Sequence, residues 1–131
     1  MADTFSYAVV RLVPALERGE RINVGVVVFC RPKGFLQART ALDEARARAL
    51  WPDVDVEAVT QHLKGLERIA AGDPEAGPIA KLDLTGRFHW LAAPSSTIVQ
   101  PSEVHTGICD DLDAQVERLL DRKSTRLNSS H

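Results

Sequence analysis

Two valine-rich apolar runs, separated by a short charged insert, constrain this chain more than any other feature. They lie in residues 6–31, which read SYAVVRLVPALERGERINVGVVVFCR. Side chains alternate between two faces along Phe5–Val13, which predicts a first strand that is ended by Pro14. A second strand is predicted over Ile22–Cys30. It is apolar on both faces, which is typical of a strand in the middle of a sheet.

The two faces of the second strand follow from strict alternation. One face receives Val24, Val26, Val28 and Cys30, and the other receives Gly25, Val27 and Phe29. A turn signal at residues 32–34 precedes a third strand over Phe35–Leu42, and the three strands form an antiparallel meander.

Three helices are indicated by capping residues that precede an apolar stripe. Asp43 can cap a short helix that stops before Trp51. Either Asp53 or Asp55 can cap a second helix, whose apolar residues recur at steps of three and four before a stop at Gly72. Either Asp110 or Asp111 can cap the last helix. Between the second and last helices, two short strands over residues 87–91 and 96–100 are predicted to pair with each other.

These elements predict an α+β fold. We expect a single domain, residues 1–120, in which an antiparallel sheet of four to five strands carries two to three helices packed on one face. Residues 121–131, DRKSTRLNSSH, lack apolar periodicity and look like one reading frame of a widely used sequencing adapter. We interpret them as a non-native, disordered tail and exclude them from the fold.

Charge and composition argue against several classes of protein. The formal net charge is −2, and the 13 basic and 17 acidic residues outside the tail give −4, so nucleic-acid binding is the least favoured function. No apolar run approaches the ~20 residues of a membrane helix, and the N-terminus does not resemble a signal peptide. Cys30 and Cys109 form neither a disulfide framework nor a CxxC motif, which favours a cytoplasmic protein.

The first group of candidate functional residues lies in the opening segment. Arg11 sits among apolar residues, so it needs a carboxylate partner such as Glu17 or Glu20, or it binds an anion through its planar guanidinium. Asn23 and Gly25 both weaken a strand. They serve either loop hydrogen bonding and a bulge or close approach, or a functional site.

The second group lies in residues 90–107, WLAAPSSTIVQPSEVHTG, which collect hydroxyl, amide and imidazole groups. Such a loop can cradle an anion, and His105 can transfer protons near neutral pH. Alternatively, the polar side chains satisfy their own turns. A Cys109 nucleophile with His105 as its base is weakly supported, and a zinc site would need four converging ligands. We therefore expect no metal and no cofactor.

The segments YAVVRLVPALERGERINVGVVVFC and RFHWLAAPSSTIVQPSEVHTG resemble the two signature blocks of a bacterial family of unknown function, catalogued as domain of unknown function 3037. The resemblance covers Phe5–Leu120. It carries over Arg11, Pro14, Gly19, Glu20, Asn23 and Gly25 from the first block, and Arg87, Pro94, Ser96, Thr97, Gln100, Pro101, His105, Thr106 and Gly107 from the second.

The resemblance implies a small cytoplasmic bacterial protein without an established reaction, cofactor or substrate. Genes of this family can lie beside one for a HipA-like kinase, which makes such a kinase a candidate partner by association alone.

The leading functional hypothesis is a non-enzymatic accessory protein that binds a partner protein, because the chain is small, carries no catalytic motif and holds polar loops on rigid strands. The alternative is an enzyme or a small anionic-ligand binder, with a site formed by the two blocks. The candidate site residues are Arg11, Glu20, Asn23, Ser96, Thr97, Gln100, His105 and Thr106. The alternative requires Asn23 and His105 to lie on the same face of the sheet.

Overall fold

The computed structural model describes residues 3–15, 20–93 and 98–121. Their strands are β1 (Asp3–Ala15), β2 (Glu20–Cys30), β3 (Phe35–Thr40), β4 (Val99–Pro101) and β5 (His105–Cys109). Their α-helices are α1 (Glu44–Leu50), α2 (Val56–Ala71), α3 (Leu84–Ala92) and α4 (Leu112–Leu120). All strand pairs are antiparallel, so the predicted α+β class and the meander of the first three strands are confirmed.

Two short strands share the outer edge of β1. Its first half pairs with β5 and its second half pairs with β4. The buried Ser102 lies between them, where its backbone N–H donates to the Val9 carbonyl at 2.7 Å and its Oγ accepts from the Val9 N–H at 2.8 Å. A side-chain hydroxyl thus replaces one rung of the ladder, and β4 and β5 act as a single interrupted strand.

A bulge in β2 changes which side chains share a face. Val10 pairs with Gly25 and Arg11 pairs with Asn23, which leaves Val24 as the extra residue. Val24 consequently joins the larger apolar core, whereas Val26 belongs to the smaller one. The prediction that Val24 shares a face with Val26, Val28 and Cys30 is therefore wrong, because strict alternation fails at a bulge.

The sheet is covered on both faces. The larger core lies between one face and α1, α2 and α3, and it includes the stacked rings of Phe29 and Phe88, whose centroids are 4.7 Å apart. The smaller core lies on the opposite face, where Val116 and Leu119 of α4 pack on Val26 and Val28. The expectation of helices on one face only is therefore wrong: the last helix covers the other side.

The expected helix caps are confirmed, and the alternatives among them are resolved. The N-caps are Asp43, Asp55 and Asp111, and each carboxylate accepts a backbone N–H from the first turn of its helix. Gly72 ends α2 in the left-handed conformation, with φ of 75°. No helix in the described part of the chain has the length and apolar character needed to span a bilayer.

The segment after α2 departs most from expectation. Residues 87–91 were predicted as a strand but lie inside α3, because Asp83 caps a helix there by accepting from the Gly86 N–H at 2.8 Å. A short apolar run alone does not distinguish a buried helix from a strand. The predicted pairing of residues 87–91 with 96–100 is wrong as well, since β4 pairs with β1.

Two strand ends also differ from the sequence prediction. β1 continues through Pro14 to Ala15, and a register irregularity between Leu12 and Ala15 accommodates the proline, which cannot donate to a regular ladder. β3 ends at Thr40, where the Glu67 carboxylate of α2 accepts from both the Thr40 N–H, at 2.8 Å, and its hydroxyl, at 2.9 Å. Glu67 thereby accepts the Thr40 N–H group, which points outward from the β3 edge of the sheet.

Candidate functional site

Three polar residues form a row across the three strands β2, β1 and β4. Arg11 in β1 is paired with Asn23 on one side and with Gln100 on the other. Residues that are directly opposite each other in a sheet project from the same face, so the three side chains share a face. The row joins residues of both sequence segments singled out above.

A second pair lies farther along the same face. His105 is paired with Tyr7, and their ring centroids are 5.3 Å apart. Tyr7 and Arg11 are four positions apart on β1, so they project from the same face. Asn23 and His105 therefore lie on one face of the sheet, as the ligand-binding hypothesis requires. The term polar face refers below to Tyr7, Arg11, Asn23, Gln100 and His105.

The electrostatic surroundings of Arg11 are mixed. Partial burial lowers the pKa of its guanidinium, the nearby charge of Arg21 lowers it further, and Glu103 opposes the change. The Nε atom of Arg11 is buried and has no hydrogen-bond partner in the described part of the chain. This donor therefore carries a desolvation cost that no hydrogen bond within the described residues offsets.

Glu103 is a site residue that the sequence analysis missed. Its Oε1 lies 3.5 Å from the His105 Nε2 atom, and its charge also acts on Arg11. An acidic residue two positions before His105 could have been found by treating 103–105 as extended chain, in which alternate residues share a side. Two carboxylates were candidates for pairing with Arg11. Glu17 lies outside the described residues, and for Glu20 only the backbone is described.

Among the remaining predicted site residues, only the side chain of Thr106 is described by the structure. Ser96 and Thr97 lie outside the described residues. Glu20 begins β2, with its backbone paired to Ala15. Thr106 is paired with Ser6 and projects from the opposite face of β5 to His105. The structure thus gathers Arg11, Asn23, Gln100 and His105, and separates Thr106 from them.

Other polar and small residues of the second segment have structural roles. The Nη1 atom of Arg87 donates to the Ala70 carbonyl at 2.9 Å, so its guanidinium caps the end of α2. A Cβ atom at Gly107 would lie 2.7 Å from the ring of Phe5, so the ring requires glycine at this position. Both residues are explained by packing without any ligand.

The geometry does not support a cysteine–histidine pair. Burial raises the pKa of the Cys109 thiol, with a smaller contribution from Cys30, which disfavours the nucleophilic thiolate. Four positions along a strand also separate the backbones of His105 and Cys109 by about 13 Å. Among residues 3–15, 20–93 and 98–121, no group of three or more His, Cys, Asp or Glu side chains could hold a metal ion.

Two cavities in the described part of the chain lie away from the polar face. A cavity of about 290 Å³ lies between β3 and α2, lined in part by Leu36, Arg39 and Glu67. A neighbouring cavity of about 250 Å³ adjoins Thr40 and Lys64. Neither cavity includes a residue of the polar face.

Comparison with known proteins identifies a family but no activity. A family model described as "Protein of unknown function (DUF3037)" matches residues 7–123. No match was found among curated proteins, and none among solved structures. The match spans both segments that build the polar face. The chain therefore belongs to the DUF3037 family of proteins of unknown function.

Proposed function

We propose that this protein is a non-enzymatic accessory protein, which binds an acidic segment of a partner protein on its polar face. The observation that carries the proposal is the row of Asn23, Arg11 and Gln100 across three adjacent strands. The row is held by backbone pairing between three strands, so little backbone entropy is lost when a partner binds.

The charges near the row favour an acidic partner. Arg21 is exposed, and it lies close enough to Arg11 to lower the pKa of the Arg11 guanidinium. Two guanidinium groups on one side of the sheet attract carboxylates or phosphates, and their planar shape suits bidentate contact. Glu103 offsets part of this charge, which restrains indiscriminate binding of anions.

The absence of net positive charge makes nucleic acid a poor candidate for this partner. The HipA-like kinase suggested by family association is the first candidate partner to test, and its role as partner is part of the proposal.

Affinity purification from the native host tests the proposal. The bait proteins are the natural full-length protein, its Arg11→Gln variant and its Arg48→Gln variant. Arg48 is the matched control, because it is an exposed arginine of α1 that pairs with Glu44 on its own helix. We expect a partner protein to be recovered with the natural protein and with Arg48→Gln, and to be reduced at least tenfold with Arg11→Gln.

Titration of the recovered partner then measures the contribution of charge and shape. Binding should weaken as salt rises, because surface charges are screened. Arg11→Lys keeps the charge but loses the bidentate fork, so its affinity should fall between those of the natural protein and Arg11→Gln. Equal thermal unfolding midpoints would show that the variants are folded. Recovery of the same proteins with all baits, or of none, would contradict the proposal.

A small anionic ligand is the second candidate function, and the proximity of the Arg21 charge to the Arg11 guanidinium is the observation that favours it. Nuclear magnetic resonance titration with phosphate and with succinate tests it directly. Saturable shifts confined to the polar face, abolished by Arg11→Gln, would support a ligand site. Linear shifts spread over the whole surface would exclude it.

A further inference from the structure

The outer edge of β5 presents exposed apolar side chains together with backbone groups that have no partner among residues 3–15, 20–93 and 98–121. Val104, just before the strand, is 45% exposed, and Ile108, within it, is 72% exposed. Natural proteins usually protect such edges with charges, prolines or covering segments, since an open edge is a template for another strand. β5 contains no aspartate, glutamate, lysine or arginine.

The direction of the backbone groups follows from the hydrogen bonds of β1. Val9 and Val13 direct their N–H groups toward the β4–β5 side of the sheet. Hydrogen-bonded and non-hydrogen-bonded pairs alternate in an antiparallel ladder. Phe5 and Tyr7 therefore engage Gly107 and His105, while the N–H and C=O groups of Thr106 and Ile108 point outward from the sheet.

The exposed side chains are arranged symmetrically about Thr106. Val104, Thr106 and Ile108 alternate with His105 and Gly107, and they project from one side of the strand. The contact between Glu103 and His105 agrees with this alternation, because it joins residues two apart on the other side. The pattern apolar, threonine, apolar reads the same in both directions.

We propose that β5 pairs antiparallel with β5 of a second copy of this chain, about a two-fold axis at Thr106. In this register Thr106 lies opposite its own counterpart, and Ile108 of each copy lies opposite Val104 of the other. Threonine–threonine and apolar–apolar pairs are both favourable neighbours across strands. The outward-facing backbone groups of both copies then form one continuous ladder.

The other face of the strand fits the same register. His105 of each copy lies opposite Gly107 of the other, where the Phe5 ring of the same copy already covers the glycine. Pro101 limits the ladder: it pairs with Val10 in the alternate register, so its missing N–H faces outward on β4. Pairing is therefore confined to residues 104–108.

This dimer shares His105 with the polar face but does not rest on the function proposed for that face, and its test uses only the protein itself. Sedimentation of the full chain over a range from about 5 µM to 1 mM should show mass rising from 14.4 kDa toward twice that value. Ile108→Lys and Thr106→Pro should each weaken association at least tenfold. Leu82→Lys is the matched control, because Leu82 is a 45% exposed apolar residue away from β5.

Thiol cross-linking tests the register. Under mild oxidation, Thr106→Cys should form a disulfide-linked dimer, since the backbones of directly opposed residues lie within disulfide reach. Ile108→Cys should not, because its counterpart would lie about 14 Å away along the strands. Cys30 and Cys109 are buried, so the unsubstituted chain controls for their reactivity.

Any of three results would overturn the proposal. The first is a chain that stays monomeric up to 1 mM, and the second is a dimer that survives Ile108→Lys and Thr106→Pro. The third is cross-linking through Ile108→Cys without cross-linking through Thr106→Cys. Far-ultraviolet circular dichroism of each variant would separate loss of pairing from loss of folding.

Discussion

At the scale of single residues, Gly25 shows how a position chosen for backbone reasons can resemble a functional one. It follows the extra residue of the β2 bulge, and a Cβ atom there would lie 2.6 Å from the Arg39 carbonyl oxygen of β3. The close approach requires glycine and fully accounts for the residue. Asn23, two residues earlier, projects onto the polar face, so two nearby residues that both weaken a strand have different explanations.

Gly25→Ala should lower the free energy of unfolding by about 1–3 kcal/mol, because the backbone of β3 cannot yield as a flexible side chain would. Gly65→Ala is the control: it lies in α2 with no atom within 4 Å of its added Cβ, and should raise stability by about 0.5–1 kcal/mol. Urea unfolding measures both. An unchanged midpoint for Gly25→Ala would contradict the close-approach explanation.

At the scale of elements, structure that depends on local signals could be predicted from the sequence, and structure that depends on long-range contacts could not. The capping aspartates and the apolar stripe of α2 act within a few residues, so the sequence alone located those helices. Residues 84–92 form a helix because of the Asp83 cap and the burial of Phe88, and neither is distinctive in a short apolar run.

The candidate site shows the same division. Arg11 and Asn23 stood out because polar residues are unexpected in apolar strands, and the structure pairs them. β5 reads as a polar loop, since its exposed edge leaves polar side chains in solvent. Its pairing with β1, and with it the position of His105 beside Tyr7, depends on contacts about a hundred residues apart.

The junction of β4 and β5 supplies a prediction at this scale. Ser102→Ala leaves the buried Val9 N–H without an acceptor, which should cost about 1–3 kcal/mol of stability. Amide hydrogen exchange at Val9 should accelerate by roughly tenfold or more, in keeping with that cost. The Val13 amide, which donates to the Ile98 carbonyl, serves as the internal reference. Exchange rates that change equally at both amides would indicate a global rather than a local effect.

At the scale of the whole molecule, the sheet separates two cores of unequal size. The larger one is enclosed by three helices, whereas the smaller one depends on α4 and contains both Cys30 and Cys109. The Arg39–Glu117 ion pair links α4 to β3 at the exposed rim. Exposure of either thiol therefore reports on the opening of α4 from the sheet.

In the folded protein, both thiols should react slowly with Ellman's reagent at pH 8, because both are buried and burial raises the pKa of Cys109. Leu119→Ala removes a side chain that is 2% exposed, should cost about 2–5 kcal/mol, and should accelerate labelling. Leu82→Ala, at an exposed position, should leave the rate unchanged. Immediate reaction of the unsubstituted protein would mean that α4 does not cover the cysteines.

The carboxylate of Glu67 restricts the addition of strands from other copies at the β3 edge of the sheet. A sheet that accepts strands at both edges can add copies without limit, which is the geometry of fibres. Here α2 packs along β3, and Glu67 already takes the N–H and hydroxyl of Thr40. A strand added at the β3 edge would have to displace this carboxylate from Thr40, whereas the β5 edge needs no such displacement. A single helix side chain thereby favours a closed pair through β5 over an open-ended polymer.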